Sequence, residues 1–267
     1  MKQTRIIMGM PITIEVVSPK TNDSTVFPHE SLAINKAFDY FVYVDEKFST
    51  YKKDSEIMKI NRGEISIENS SRDMREIFLL SEQTKKETDG YFDIVNRKGI
   101  YDPSGIVKGW AIYNALKIIE ENGFKDYYVE AGGDIQVGGN NSKGELWKVG
   151  IENPFKQGEI IKVVYLQNQG IATSGTYIRG QHIYNPKNKG KEITDIVSLS
   201  VIGPNVYEAD RFATAVFAMG KAGINFIEKQ KGLEGYIIDN AGMATMTSGF
   251  ESFAIHQPAD NLVRKDA

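Results

Sequence analysis

The run Tyr127-Tyr128-Val129-Glu130-Ala131-Gly132-Gly133-Asp134-Ile135-Gln136-Val137-Gly138 holds two strand patterns with only a glycine bend between them. The spacing predicts strands over 127–130 and 133–138. Just upstream, apolar residues at helical spacing predict a helix over 107–122, stopped at Gly123. A strand following directly on a strand breaks the strict β-α alternation that a doubly wound parallel sheet requires. The rest of the chain repeats that mixture. Strands are predicted over 12–17, 147–152, 160–167 and 196–202, and helices over 29–47, 72–88, 209–219 and 222–230. The helix over 72–88 is opened by Ser70, Ser71 or Asp73 and ends before Asp89-Gly90. Segments 235–239 and 244–247 read as a closing hairpin across Asn240-Ala241-Gly242. Together these patterns predict an α+β or mixed α/β core.

Composition narrows the function classes. The 267 residues suit one large domain or two intimately joined subdomains. With 41% apolar and 25% charged residues the chain is an ordinary globular protein. A net charge of −3 supplies no basic field for nucleic acid. No cysteine is present, which excludes disulfides, thiolate metal sites and cysteine nucleophiles. Three histidines (His29, His182, His256) are too few for a multi-imidazole zinc site. No apolar run reaches the length of a membrane span. The first residues turn polar too quickly for a signal peptide, so a cytoplasmic location is expected, with export or lipid anchoring after loss of a leader as the alternative.

Chemistry concentrates in a few segments. In Ala209-Asp210-Arg211-Phe212-Ala213-Thr214-Ala215 a carboxylate and a hydroxyl stand four residues apart, on one face of a helix. Two hard oxygens so placed suit Mg²⁺, which also holds phosphates. The same spacing also describes a first-turn acid followed by a core-facing threonine. Asp102-Pro103-Ser104-Gly105-Ile106-Val107-Lys108-Gly109 reads as a glycine-bearing loop entering a helix, whose free N–H groups and positive end suit phosphate, with Lys108 adding charge. It is neither a P-loop nor a Rossmann fingerprint. Phe48-Ser49-Thr50-Tyr51 offers an aromatic hydroxyl, and Asp89-Gly90-Tyr91-Phe92-Asp93 a glycine turn with two rings and a carboxylate. Ala172-Thr173-Ser174-Gly175-Thr176-Tyr177 reads as a hydroxyl-rich glycine turn, followed by His182-Ile183-Tyr184-Asn185-Pro186. His182 there is a candidate for catalysis or substrate positioning.

These segments, with Met8-Gly9-Met10, Ala131-Gly132-Gly133-Asp134 and Glu208-Ala209-Asp210, resemble in order the motifs of the FAD:protein FMN transferase family, the ApbE-like flavin transferases. The resemblance spans residues 8–214. It implies mixed or antiparallel sheets flanked by helices, in two closely joined subdomains of one flavin transferase domain. It also implies an enzyme that splits FAD at its pyrophosphate, attaches FMN to a threonine of an acceptor protein and releases AMP. Asp210 and Thr214 resemble the Mg²⁺ ligands of such proteins, with Gly105 adding a backbone carbonyl. Met8, Tyr51, Tyr91, Phe92, Asp93, Asp102, Lys108, and Ile183 or Tyr184 resemble FAD-contacting positions. His182 is the candidate base, with Asp134 or Asp210 as alternatives, and Lys108 and Asp210 are placed beside the reacting diphosphate. The chain departs from the family at Met10, at Pro103-Ser104 and at Arg211-Phe212. Its stretch between Asp93 and Asp102 is also short, where many relatives carry a long insertion on the FAD side.

Overall fold

In the computed structural model, residues 1–18, 26–176, 183–188 and 192–254 are described below. Strand β1 (Lys2–Ile7) turns at Met8-Gly9 into β2 (Met10–Val17), and the long α1 (Val26–Phe48) follows. Next come α2 (Glu56–Asn61), α3 (Arg72–Glu87) and α4 (Ser104–Glu121). Strands β3 (Asp126–Ala131), β4 (Asp134–Gly138), β5 (Trp147–Glu152), β6 (Ile160–Leu166) and β7 (Gly170–Gly175) then run without a helix between them. After β8 (Ile196–Gly203) come α5 (Val206–Met219), a 3₁₀ turn at Gly220–Gly223 and the short α6 (Ile224–Ile227). Strands β9 (Glu234–Asp239) and β10 (Ala244–Met246) and the short α7 (Glu251–Ala254) complete the described chain.

Eight strands form one sheet in the order β1-β2-β3-β4-β7-β8-β9-β10, and β5 pairs with β6 in a separate hairpin. Every pairing among the described strands is antiparallel. The fold is therefore the mixed α+β class read from the run of consecutive strands.

The two faces of the sheet are covered differently. On one face, Ile12, Ile14, Val129 and Ala131 pack with α1 to α4, through residues such as Phe38, Phe41, Ile77, Ile106 and Ile112. Further along, Leu199, Val201 and Ile237 pack against Phe212, Val216 and Phe217 of α5. On the opposite face, Val137, Ile171, Ile202 and Tyr236 pack against Trp147, Val149 and Val164 of the hairpin and against Phe250. Neighbouring strand residues point to opposite faces, so β4, β7 and β8 serve both cores and are buried almost throughout.

Several boundaries differ from the sequence expectation. Helix α4 starts at Ser104 rather than at residue 107, because Pro103 and the Asp102 carboxylate, which accepts the Ser104 N–H at 3.1 Å, open the helix early. Gly105 is thus in the first turn of the helix rather than in a loop before it. The run read as a hydroxyl-rich glycine turn at 172–177 belongs, up to Gly175, to strand β7. Its small residues lack apolar alternation, but they pair in register with β8, after Gly170 and Ile171 have paired with β4. Strand β1 and helix α2 were not foreseen: β1 is an exposed edge with little apolar pattern, and α2 is a short helix capped by Ser55. The helix expected over 222–230 is reduced to the 3₁₀ turn and α6.

Candidate functional site

Helices α4 and α5 cross in close contact because glycines replace side chains where they meet. A Cβ on Gly105 would lie 2.9 Å from the Thr214 methyl, and one on Gly109 would lie 2.7 Å from the Asp210 Cβ. Gly105 and Gly109 are one turn apart on α4, just as Asp210 and Thr214 are on α5. Two complementary i, i+4 faces therefore interlock. Asp210 Oδ2 accepts the Gly109 N–H at 2.7 Å. In a regular helix that N–H belongs to the Gly105 carbonyl, so the Asp210 carboxylate competes with that carbonyl for it. The start of α5 is itself anchored. Asn205 caps it by accepting the Glu208 N–H, and Gln136 of β4 accepts the Val206 N–H at 2.7 Å.

This crossing forms the floor of a cleft of about 180 Å³. Ten of the sequence-predicted positions line it: Tyr91, Phe92, Asp93, Asp102, Gly105, Lys108, Ile183, Tyr184, Asp210 and Thr214. They come from four separate parts of the chain. Met8 and Tyr51 do not line it. Met8 sits in the left-handed β1–β2 turn (φ 56°), half-buried against the helical core. Two residues on, Met10 packs on Gly132 of the cleft wall, which puts the Met8 turn near the rim. Tyr51 follows α1 with 98% of its surface exposed. His182 lies outside the described residues.

Charge in the cleft is concentrated and buried. Asp134, at the start of β4, is fully buried, and Asp210 is 4% exposed. Asp134 Oδ1 accepts the Thr173 N–H at 3.1 Å, and its Oδ2 stands 2.8 Å from the Lys108 ammonium. Burial, and after it the Asp134 charge, push the Asp210 carboxyl up to about 8, against the opposing pull of Lys108 and the Gly109 N–H. Two carboxylates with one ammonium leave one negative charge without a counter-ion. Bringing two carboxylates together in a buried site favours binding of a positive charge there.

Asp210, Thr214 and Gly105 line the cleft together, and a carboxylate, a hydroxyl and a backbone carbonyl are all hard oxygens. No group of three or more carboxylates or histidines that could hold a metal occurs among the described residues. Such a donor set fits a Mg²⁺-like ion that takes its remaining ligands from water or a bound phosphate. The N-terminal turn of α4 opens onto the same cleft at Ser104 and Gly105, but the Asp102 carboxylate takes the Ser104 N–H and the Pro103 carbonyl takes those of Ile106 and Val107, so little of the expected anion-binding helix start is left free.

The mouth is aromatic. The Lys187 ammonium lies 4.8 Å above the Tyr91 ring and pairs with Asp89 at 2.7 Å. Arg97 lies 4.4 Å above the Tyr184 ring. The short 93–102 loop is held by Asn96, whose side chain accepts the Lys98 and Ile100 N–H groups, and by a bridge between Val95 and Tyr101. Gly109, Asn96, Thr173 and Ala218 belong to the site although their roles were not read from the sequence. Gly109 left a signal in the G-x-x-x-G spacing with Gly105, and Thr173 in the hydroxyl-rich run from Ala172 to Gly175.

Fold and cleft together define a mixed α+β protein with a buried acidic cleft floor and an aromatic mouth. The ApbE family pattern matches residues 8–100 and 95–237, and the chain belongs to the ApbE family. Among its relatives is the FAD:protein FMN transferase of Escherichia coli strain K12, 26% identical over 277 residues, covering 80% of this chain and 79% of that protein. The FAD:protein FMN transferase of Vibrio cholerae serotype O1 is 32% identical over 130 residues, 45% of this chain and 39% of that protein. The fold matches the flavinyl transferase ApbE of Pseudomonas stutzeri in its apo form, with a TM-score of 0.80 at 20% identity over 96% of this chain and 97% of that one. It also matches the ApbE protein of Thermotoga maritima, with a TM-score of 0.82 at 20% identity over 96% and 99%. No helix among the described residues is long and apolar enough to cross a membrane.

Proposed function

We propose that this protein transfers FMN from FAD to a threonine hydroxyl of an acceptor protein, with Mg²⁺ bound, and releases AMP. The observation that carries the reading is the convergence of Gly105, Lys108, Asp210 and Thr214 on one cleft floor beneath an aromatic mouth, in a chain of this family.

The acceptor oxygen attacks the phosphorus on the FMN side of the diphosphate. The bond from that phosphorus to the bridging oxygen breaks, and AMP leaves with the oxygen. The hydroxyl proton passes to a base, for which His182 is the candidate. Asp134 is poorly placed for that task, being fully buried with its oxygens engaged by Thr173 and Lys108. Asp210, Thr214 and the Gly105 carbonyl would hold Mg²⁺, which supplies neutralisation of the charge gathering on the phosphate oxygens. Lys108 binds and orients the diphosphate. Tyr91, Phe92, Ile183 and Tyr184 give the planar ends of the dinucleotide apolar faces, while Asp93 and Asp102 line the polar side of the cleft.

The test is direct. Incubation with FAD, Mg²⁺ and a candidate acceptor should increase the acceptor mass by one FMN, with AMP formed in step. Free FMN with an unmodified acceptor would replace transfer by hydrolysis. FAD binding without AMP release would reduce the protein to a flavin carrier.

A further inference from the structure

Asp134 contributes no surface to the cleft, yet it controls what the cleft presents. It follows two glycines in the left-handed region, Gly132 (φ 57°) and Gly133 (φ 91°), which turn the chain into β4. The Thr173 N–H of β7 fixes one of its oxygens, and the other faces the Lys108 ammonium at 2.8 Å. Lys108 directly precedes Gly109, whose N–H is bound by Asp210. Its charge also acts on Asp210, so the lysine, on a flexible four-carbon stem, has two buried carboxylates to serve.

An ammonium in a poorly solvated site binds the best-placed anion strongly. If Lys108 paired with Asp210, it would occupy the carboxylate that a divalent ion needs. We propose that Asp134 is a positioning residue that holds the Lys108 ammonium away from Asp210, leaving the Asp210 carboxylate open to the cation. The inference rests on the cation reading above. The geometry favours it, because Asp134 is oriented by a backbone N–H that does not depend on Lys108. Its carboxylate stays in place whether the lysine is there or not.

The experiment is a Mn²⁺ titration of the full chain, followed by calorimetry and by the loss of the free-ion paramagnetic resonance signal. Asp134→Asn keeps an oxygen for the Thr173 N–H and removes only the charge. It should weaken Mn²⁺ binding about tenfold, the size expected for coupled groups in contact. The double variant Asp134→Asn with Lys108→Met should return Mn²⁺ affinity to within about threefold of the parent, since the competing ammonium is gone. A purely structural Asp134 would show no such rescue, so an equal loss in both variants overturns the proposal. Unchanged affinity in Asp134→Asn also overturns it. Should Asp134→Asn not fold, Lys108→Met alone decides: binding should stay within about threefold of the parent, because the ammonium is already held off Asp210, and binding tightened about tenfold or more overturns the proposal. Parent protein that takes up no Mn²⁺ overturns the cation reading and this proposal together. Parent uptake with an unresponsive Asp134→Asn overturns this proposal alone.

Discussion

Asp210 concentrates the chemistry of the molecule in one side chain. It closes the α4–α5 contact through Gly109, faces the cleft, and is pushed up to about 8 by burial and by Asp134. Asp210→Ala is expected to lower Mg²⁺-dependent AMP release from FAD at least about 100-fold, the scale for losing a main electrostatic group. The folded state should survive, because the change removes a buried charge that the protein meets only in part. AMP quantified by chromatography, alongside a thermal melt, checks both halves. At this scale the sequence was legible where a spacing rule applied: D-x-x-x-T puts two oxygens on one helix face wherever a helix forms. The role of Asp134 was not legible, because its partners Lys108 and Thr173 are 26 and 39 residues away and only the fold joins them.

At the scale of elements, the α4–α5 crossing is the joint on which the site depends. Gly109→Ala would place a methyl 2.7 Å from the Asp210 Cβ and 2.9 Å from the Val206 carbonyl. Such overpacking is expected to cost about 1–3 kcal/mol and to force the helices apart. Both a lower urea midpoint and a loss of AMP release should follow. A second joint ties three helices together. Glu56 of α2 accepts the Ser71 N–H at 2.6 Å and hydroxyl at 2.7 Å at the cap of α3, and the Lys47 ammonium at 3.1 Å at the end of α1. Burial alone would raise its carboxyl, but Ser71 and Lys47 outweigh that and hold it below the usual range. A carboxyl lowered on folding stabilises the protein above its unfolded value of about 4.3 and loses that contribution as pH falls through its folded value. Glu56→Gln should therefore cost about 1 kcal/mol at neutral pH, with the difference vanishing in acid. Denaturation of both proteins at a series of pH values measures it. Elements with a clear period, such as α3 and β5, were read nearly to the residue. Strand β7 was not, because Ala172-Thr173-Ser174-Gly175 becomes a strand through its pairing with β8 rather than through its own pattern.

On the scale of the whole molecule, the cleft draws residues from the 91–105 segment, α4, the β3–β4 turn, β7, the 183–186 segment and α5. A ligand that bridges them binds only the folded state, so it stabilises the entire fold. Mg²⁺ with FAD at about one hundred times the dissociation constant should add about 2.7 kcal/mol. The corresponding rise in melting temperature should shrink when the cation is removed by a chelator. A melting temperature indifferent to both would mean that the cleft is not where they bind.

The order of strands and helices, the absence of thiol chemistry and the pairing of Asp210 with Thr214 were decided by local pattern and composition, which act over a few residues and so can be read along the chain. Which segments meet was decided by the antiparallel sheet and by the glycines that let α4 approach α5. Local spacing cannot report those contacts, because burial and charge balance depend on neighbours far apart in sequence: Gly109 with Asp210, Asp134 with Lys108, and the 183–186 segment with the 91–97 loop.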